Sequence, residues 1–299
     1  MEPGTVNPKG RDTRSPGTAG GRGSSPAAAL TRYWSGLPDQ VRRLFWSAVG
    51  LVSIGLFALL FSWLLSRGNS NYNWGWFTVS PFTAAGQRNG TFLLAGMLPT
   101  IGAAFFAFLL SISMGLVVSL IGFIPSPLAR AFNRAWVEIF RSVPVLVMLL
   151  WVYYGLAIAI GLDLNLFSST VVAMALCDSA FEAEIFRSGI QSIGKDQLES
   201  ARAIGLKPGQ TMRIVILPQA IRRILPSLGN QFVYMLKVSS LASVIGFGEL
   251  TRKANELITT VYRPLEIYTF LIVEYLILIL VASALVRLLE KNLRQSYSE

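Results

Sequence analysis

Residues 92–124 read FLLAGMLPTIGAAFFAFLLSISMGLVVSLIGFI, and the charge-free run that contains them extends from Arg88 to Arg130. A helix needs about 20 apolar residues to cross the hydrocarbon core of a bilayer. This stretch is longer than that. It is expected to cross as one helix that is tilted or projects beyond the lipid, with Pro99 as a candidate kink. The rest of the chain agrees. Of 299 residues, 53% are hydrophobic and 14% charged, about half the charged share of an average soluble chain, and the mean hydropathy is +0.52. Lipid is the solvent this composition suits.

Five further apolar runs lie on either side. Upstream, residues 1–31 are rich in Gly, Pro, Ser, Thr and Ala with scattered Lys and Arg. They cannot bury a core and are expected to form a disordered basic tail. Segment 32–66 carries the uncharged run 44–65, long enough to span and too long and too late in the chain for a secretory signal, so it is expected to remain as an anchor helix. Segment 67–91, with Asn69, Trp74 and Trp76, is expected to be an extracytoplasmic loop at the lipid–water interface. Its Asn89-Gly90-Thr91 matches a glycosylation acceptor, but nothing else in the chain suggests a secretory-pathway protein. Downstream, Arg130, Arg134, Glu138 and Arg141 form a polar connection to a third span at 143–162. A fourth follows at 166–187, a fifth at 224–247 and a sixth at 267–286; residues 291–299 form the C-terminus. The expected fold class is an all-α integral membrane protein with six transmembrane helices.

The net charge of +10 raises nucleic acid as a partner, but the placement of the basic residues favours a membrane protein. With six spans, 20 of the 26 Lys and Arg residues fall on the side that holds both termini, five on the other, and Lys237 inside a span. Lys and Arg concentrate in cytoplasmic loops, so both termini are expected in the cytoplasm, with no nucleic-acid role. The chain has no histidine and one cysteine, Cys177. That excludes Ser-His-Asp and Cys-His catalysis, HExxH metal hydrolysis and a Cys-based zinc site or disulfide framework. No enzyme activity and no metal site are expected.

The long polar stretch 188–221 needs an explanation of its own. Asp196 can cap a helix start and Gly205 can take the left-handed conformation that ends one. Between them Leu198, Ala201 and Ala203-Ile204 supply a small apolar face. Lys207-Pro208-Gly209 reads as a turn and Gln210 to Ile216 as a second short helix, broken by Leu217-Pro218. Two short helices held between spans suit docking, and suit an ordinary amphipathic loop as well.

Glu199-Ser200-Ala201-x3-Gly205-x9-Val215-x-Leu217-Pro218 resembles the EAA loop of ABC importer permeases, E-A-A-x3-G-x9-I-x-L-P, with Ser200 for Ala and Val215 for Ile. Four further segments resemble the polar amino-acid branch of that family: Glu138-Ile139-Phe140-Arg141-Ser142-Val143-Pro144, Ala183-Glu184-Ile185-Phe186-Arg187-Ser188-Gly189-Ile190, Leu217-Pro218-Gln219-Ala220 and Ser240-Leu241-Ala242-Ser243-Val244-Ile245-Gly246. The resemblance implies a type I permease domain over 92–290, five spans of it forming the family core, with 44–65 an additional helix. It implies ABC ATP-binding subunits that hold ATP–Mg while this chain holds no cofactor. It further implies a second permease subunit (the same chain or a related one), an extracytoplasmic solute-binding protein and a polar amino acid as substrate, in a prokaryotic cell membrane. Glu199, Ala201, Gly205, Leu206, Leu217 and Pro218 would then couple to the ATPase, and no Walker-type GxxxxGK[ST] is needed in this chain.

Ionisable residues inside spans are costly and usually line a pathway or find partners. Asp178 and Glu182 lie one helical turn apart on one face, suited to a solute pathway, although Glu182 also lies near the cytoplasmic end, where it can reach water. Lys237, beside Ser239 and Ser240, either meets a solute carboxylate or pairs with Asp178 or Glu274; Glu274 is weighted toward a structural partner. Glu184 and Arg187 are expected to pair locally, as are Glu249 with Lys253 and Arg252 with Glu256 on an outer helix. Trp151, Tyr153 and Tyr154 read as packing. A stand-alone secondary transporter or channel, with Asp178, Lys237 and Glu274 as its ion path, is the alternative function; it leaves 188–221 unexplained.

Overall fold

The computed structural model describes Pro38, scattered positions from 40 to 63, and residues 73–295 without a break. The chain divides into two compact units, residues 1–73 and 74–299. In the first, the described positions from 40 to 63 are helical; the tail 1–31 and the remaining positions of the expected anchor lie outside the described residues.

The second unit is helical throughout its described elements. It opens with a 3-10 turn, Trp76–Thr78, and α1, Ala84–Leu94, whose N-cap Thr83 accepts the Gly86 amide at 3.1 Å. α2, Met97–Gly122, follows after a turn at Ala95 and Gly96. The interruption therefore falls before Pro99, which occupies the first turn of α2, where a missing amide leaves no bond unmade. The expected loop 67–91 is partly helix, and Asn89 lies buried in it, donating to the Thr78 carbonyl at 2.8 Å.

The polar connection at 130–141 is instead a regular helix, α3, Pro127–Ser142. Pro144 ends it, and there the chain bends by 97° into α4, Val145–Ile160, which contains a π-helical turn at Trp151–Gly155. Gly161, at φ +68°, terminates α4. α5 spans Leu166–Gln191, capped by Asn165, and α6 spans Lys195–Ala203. The predicted break at Leu217-Pro218 does not occur. Pro208–Gln210 and a π-helical turn at Thr211–Ile216 run directly into α7, Leu217–Val238. A proline ring collides with the carbonyl four residues back, and the wider π turn makes room for Pro218. A 3-10 segment, Ser239–Ile245, leads to α8, Leu250–Val261, and α9, Pro264–Gln295.

Among the described residues three helices are long and apolar enough to cross a membrane, Ala84–Gly122, Leu166–Gln191 and Pro264–Lys291, and up to five if each bent pair counts as one span. α9 shows how the unit is solvated. Its inward positions Ile267, Leu271, Glu274, Leu278 and Ala282 are buried at helical spacing, while Ile272, Val273, Leu276, Ile277 and Leu280 are exposed. An apolar outward face is what lipid requires.

α2 packs most extensively on α5, and the reason is a row of small residues. Ala103, Ala107, Ser111, Gly115 and Ser119 repeat every fourth position and are all buried. Small side chains let helix backbones approach closely in a membrane. At Gly115 the approach leaves no room for a side chain: a Cβ there would sit 2.8 Å from the Glu182 Cβ and 2.9 Å from the Ser179 carbonyl oxygen.

Candidate functional site

α6 is a nine-residue helix whose end follows from its sequence. Gly205 has φ +81°. Its amide donates to the Arg202 carbonyl at 2.9 Å and the Leu206 amide to the Ala201 carbonyl at 3.1 Å. This pair of bonds is a Schellman motif, which needs a left-handed residue and brings together side chains at the Ala201 and Leu206 positions. Ala201 is buried and Leu206 half-buried. The motif residues Ala201, Gly205 and Leu206 thus build one turn.

Much of the surface around this turn faces outward. Glu199, Arg202 and Ala203 are exposed, and Ile204 is 76% exposed. Ala203 and Ile204 therefore do not belong to the inward apolar face, which consists of Leu198, Ala201 and Leu206. Gly194, not Asp196, is the N-cap; Asp196 sits in the first turn, where its charge suits the helix dipole. Gln219 links the loop to α7, donating to the Gln197 side chain at 3.3 Å and the Val215 carbonyl at 3.0 Å. Leu217 is exposed at the π turn, with Pro218 beside it in the first turn of α7.

The intramembrane polar residues divide into separate places. Asp178 is 3% exposed and accepts a hydrogen bond from the Gln231 side chain of α7. Beside it lies a void of about 10 Å³ bounded by Cys177, Phe181, Tyr234 and Met235, about the room for one water. Glu182 is fully buried under Gly115, and neither of its carboxyl oxygens has a hydrogen-bond partner among the described residues. Glu274 is buried with both oxygens in the same condition. Lys237 is exposed in the last turn of α7, and no ion pair among the described residues joins it to Asp178 or Glu274. The hydroxyls of Ser239 and Ser240 donate to the carbonyls of Leu236 and Lys237, at 2.8 Å each.

Several pairings differ from those expected along single helices. Glu184 pairs with Arg141 of α3 at 3.0 Å rather than with Arg187. Arg252 does meet Glu256, at 2.9 Å, but Lys253 joins the same carboxylate at 3.2 Å. Glu249 is fully buried as the N-cap of α8, accepting from the Thr251 and Arg252 amides at 2.8 and 2.7 Å and from the Tyr275 hydroxyl at 2.8 Å. Of the polar residues the sequence reasoning passed over, Gln231 was the most legible, as an amide inside an expected span.

Comparison with known proteins decides what this helical unit is. The family described as "Binding-protein-dependent transport system inner membrane component" matches residues 111–295. The chain belongs to that family. This binding-protein-dependent permease is similar to the glutamine transport system permease protein of Escherichia coli (strain K12), 38% identical over 194 residues that cover 62% of this chain and 87% of that one. It is similar to the probable glutamine ABC transporter permease protein of Bacillus subtilis (strain 168), 35% identical over 209 residues, 70% of this chain and 96% of that one. Among solved structures it matches an amino acid ABC transporter with histidines at 36% identity and a TM-score of 0.66, over 69% of this chain and 96% of that one. The fold is that of a type I ABC permease, and the protein is a membrane-embedded transport subunit rather than an enzyme. A permease of this family works with ATP-binding subunits and a solute-binding protein, so the stand-alone transporter alternative is set aside.

Proposed function

We propose that this permease carries a polar amino acid across the cell membrane, powered by ATP–Mg bound on its ATPase partners while the chain itself holds no cofactor. The relatives named for glutamine and the matching amino acid transporter support that substrate class. The working unit is a dimer of permease subunits, each with six spans and both termini in the cytoplasm; the excess of Lys and Arg on that side supports the orientation. α6 is the coupling helix, with Glu199, Ala201, Gly205, Leu206, Leu217 and Pro218 forming or supporting the surface that meets the ATPase. The observation that carries this is the outward-facing Schellman turn, with Ile204 76% exposed beside Gly205.

Asp178, Lys237, Ser239, Ser240 and Glu274 belong to the solute pathway or its lining, whereas Glu182 is sealed in the α2–α5 seam. Asp178 is the member beside a void, and intramembrane ionisable groups are retained for such roles. The test is reconstitution of the chain with its ATPase and binding protein in liposomes, measuring uptake of labelled glutamine and competition by other amino acids. Uptake that requires ATP and yields only to polar amino acids is the expected result. Transport that proceeds without ATP, or that no amino acid competes, refutes the proposal.

A further inference from the structure

α3 divides into three lengthwise sectors. Ala129, Asn133, Trp136, Val137 and Phe140 are half-buried and face the protein. Leu128, Phe132 and Ile139 form a second sector, apolar and exposed, with Leu128 79% so. Arg130, Arg134, Glu138 and Arg141 form a third, also exposed. Helical geometry at 3.6 residues per turn separates the three. The 97° bend at Pro144 sets α3 across the direction of α4, so where α4 crosses a bilayer α3 lies along its surface. Asn133 fixes it there, donating to the Val118 carbonyl near the end of α2 at 2.7 Å.

The basic sector does not simply face water. Arg130, Arg134, Glu138 and Arg141 border a cavity of about 370 Å³ that is closed on its other side by Glu184, Arg187 and Gln191 of α5, so four arginines face two carboxylates. Arg141 and Glu184 neutralise each other at 3.0 Å. No ion pair among the described residues engages Arg130, Arg134 or Arg187. Arginine presents a planar fork of donors matched to phosphate oxygens, and an in-plane helix with an apolar exposed flank inserts that flank at the acyl boundary.

We infer that this cavity binds the phosphate of an acidic phospholipid headgroup, with Arg130, Arg134 and Arg187 as its ligands and Leu128, Phe132 and Ile139 against the acyl chains. Because α5 leads directly into α6, the site lies on the same side as the coupling loop; its assignment to the cytoplasmic leaflet rests on the orientation proposed above. A lipid phosphate is favoured over free phosphate because the apolar sector lies on the same exposed side of α3, reached from the arginines across the small exposed residues Ala131 and Ala135.

The test uses the full chain in nanodiscs of equal parts phosphatidylglycerol and phosphatidylcholine, released into native mass spectrometry to count retained lipids, with co-purified ATPase recorded in the same preparation. Wild type retains phosphatidylglycerol selectively, and excess inorganic phosphate does not displace it. Arg130→Gln with Arg134→Gln lowers that retention about thirtyfold, the paired Lys substitutions restore most of it, and Arg252→Gln leaves it unchanged. If the double variant is not monodisperse, Arg187→Gln carries the test, with a loss of about fivefold. Unchanged retention in the Gln variants overturns the inference. Displacement by inorganic phosphate overturns the lipid assignment in favour of a free anion. Loss of ATPase with lipid intact shows the arginines meeting a protein. A chain that holds lipid but brings down no ATPase refutes the importer reading and leaves this site standing.

Discussion

Replacing Gly205 separates the chain's own needs from those of its partner. A Cβ built at Gly205 meets nothing within 4 Å, and the residue sits at φ +81°. In the isolated permease a side chain there therefore costs only backbone strain, about 1–2 kcal/mol for an ordinary residue. Asn tolerates left-handed backbone and largely escapes that cost; Val carries it in full. The steric consequence arises only when a partner closes on the turn. A side chain forced into a close-packed contact costs about 1–3 kcal/mol, which weakens ATPase association about 5- to 150-fold. Gly205→Asn is thus expected to keep the wild-type melting temperature in detergent and to lose ATPase co-elution and permease-stimulated hydrolysis. Gly205→Val is expected to lose both coupling and some stability. If Asn couples normally while Val does not, glycine serves the backbone alone and the close approach is wrong. If both couple normally, the partner does not reach this turn.

Three further perturbations follow from the packing. Gly115→Ala places a Cβ 2.8 Å from that of Glu182 and should destabilise the α2–α5 seam by about 1–3 kcal/mol; Gly90→Ala, with open space around it, is the control, and an equal melting temperature for both would refute the seam. Gln231→Leu removes the partner of buried Asp178 and should cost about 1–3 kcal/mol, most of it recovered in the double variant with Asp178→Leu. Additivity in that cycle, read by thermal unfolding, would show the two side chains to be uncoupled. Arg141→Ala breaks an ion pair whose side chains are 50% and 36% exposed, so unfolding should shift by less than about 1 kcal/mol. A larger loss would mean the pair holds α3 in place.

Much of this architecture was readable because a bilayer demands long apolar helices, and 92–124, 166–187 and 267–286 satisfy that demand on composition alone. Gly205 was readable too, since few residues other than glycine end a helix in left-handed backbone. α3 was not. Its arginines at 130 and 134, read as a hydrophilic link, are spaced for one helix face, and Leu128, Phe132 and Ile139 for another. Arg252 with Glu256 was read correctly, but the pairing of Glu184 was misread for a physical reason: neighbours on one helix are visible in sequence, whereas Arg141 meets Glu184 across 43 residues. Pro218 was taken as a stop because a proline disrupts the ordinary α-turn, and the π turn that absorbs it leaves no mark in residue type.

The seam between α2 and α5 also has a mechanical side. Backbones this close have no slack, so the two helices behave as one stiff beam. α5 has 26 residues, about 39 Å of helix. A tilt of about 10° applied at its α6 end sweeps the opposite end through about 7 Å. Enlarging any of these small side chains would loosen the joint and shorten that throw, so on the coupling role proposed for α6 the row from Ala103 to Ser119 would set the gearing between the loop and the far end of α5.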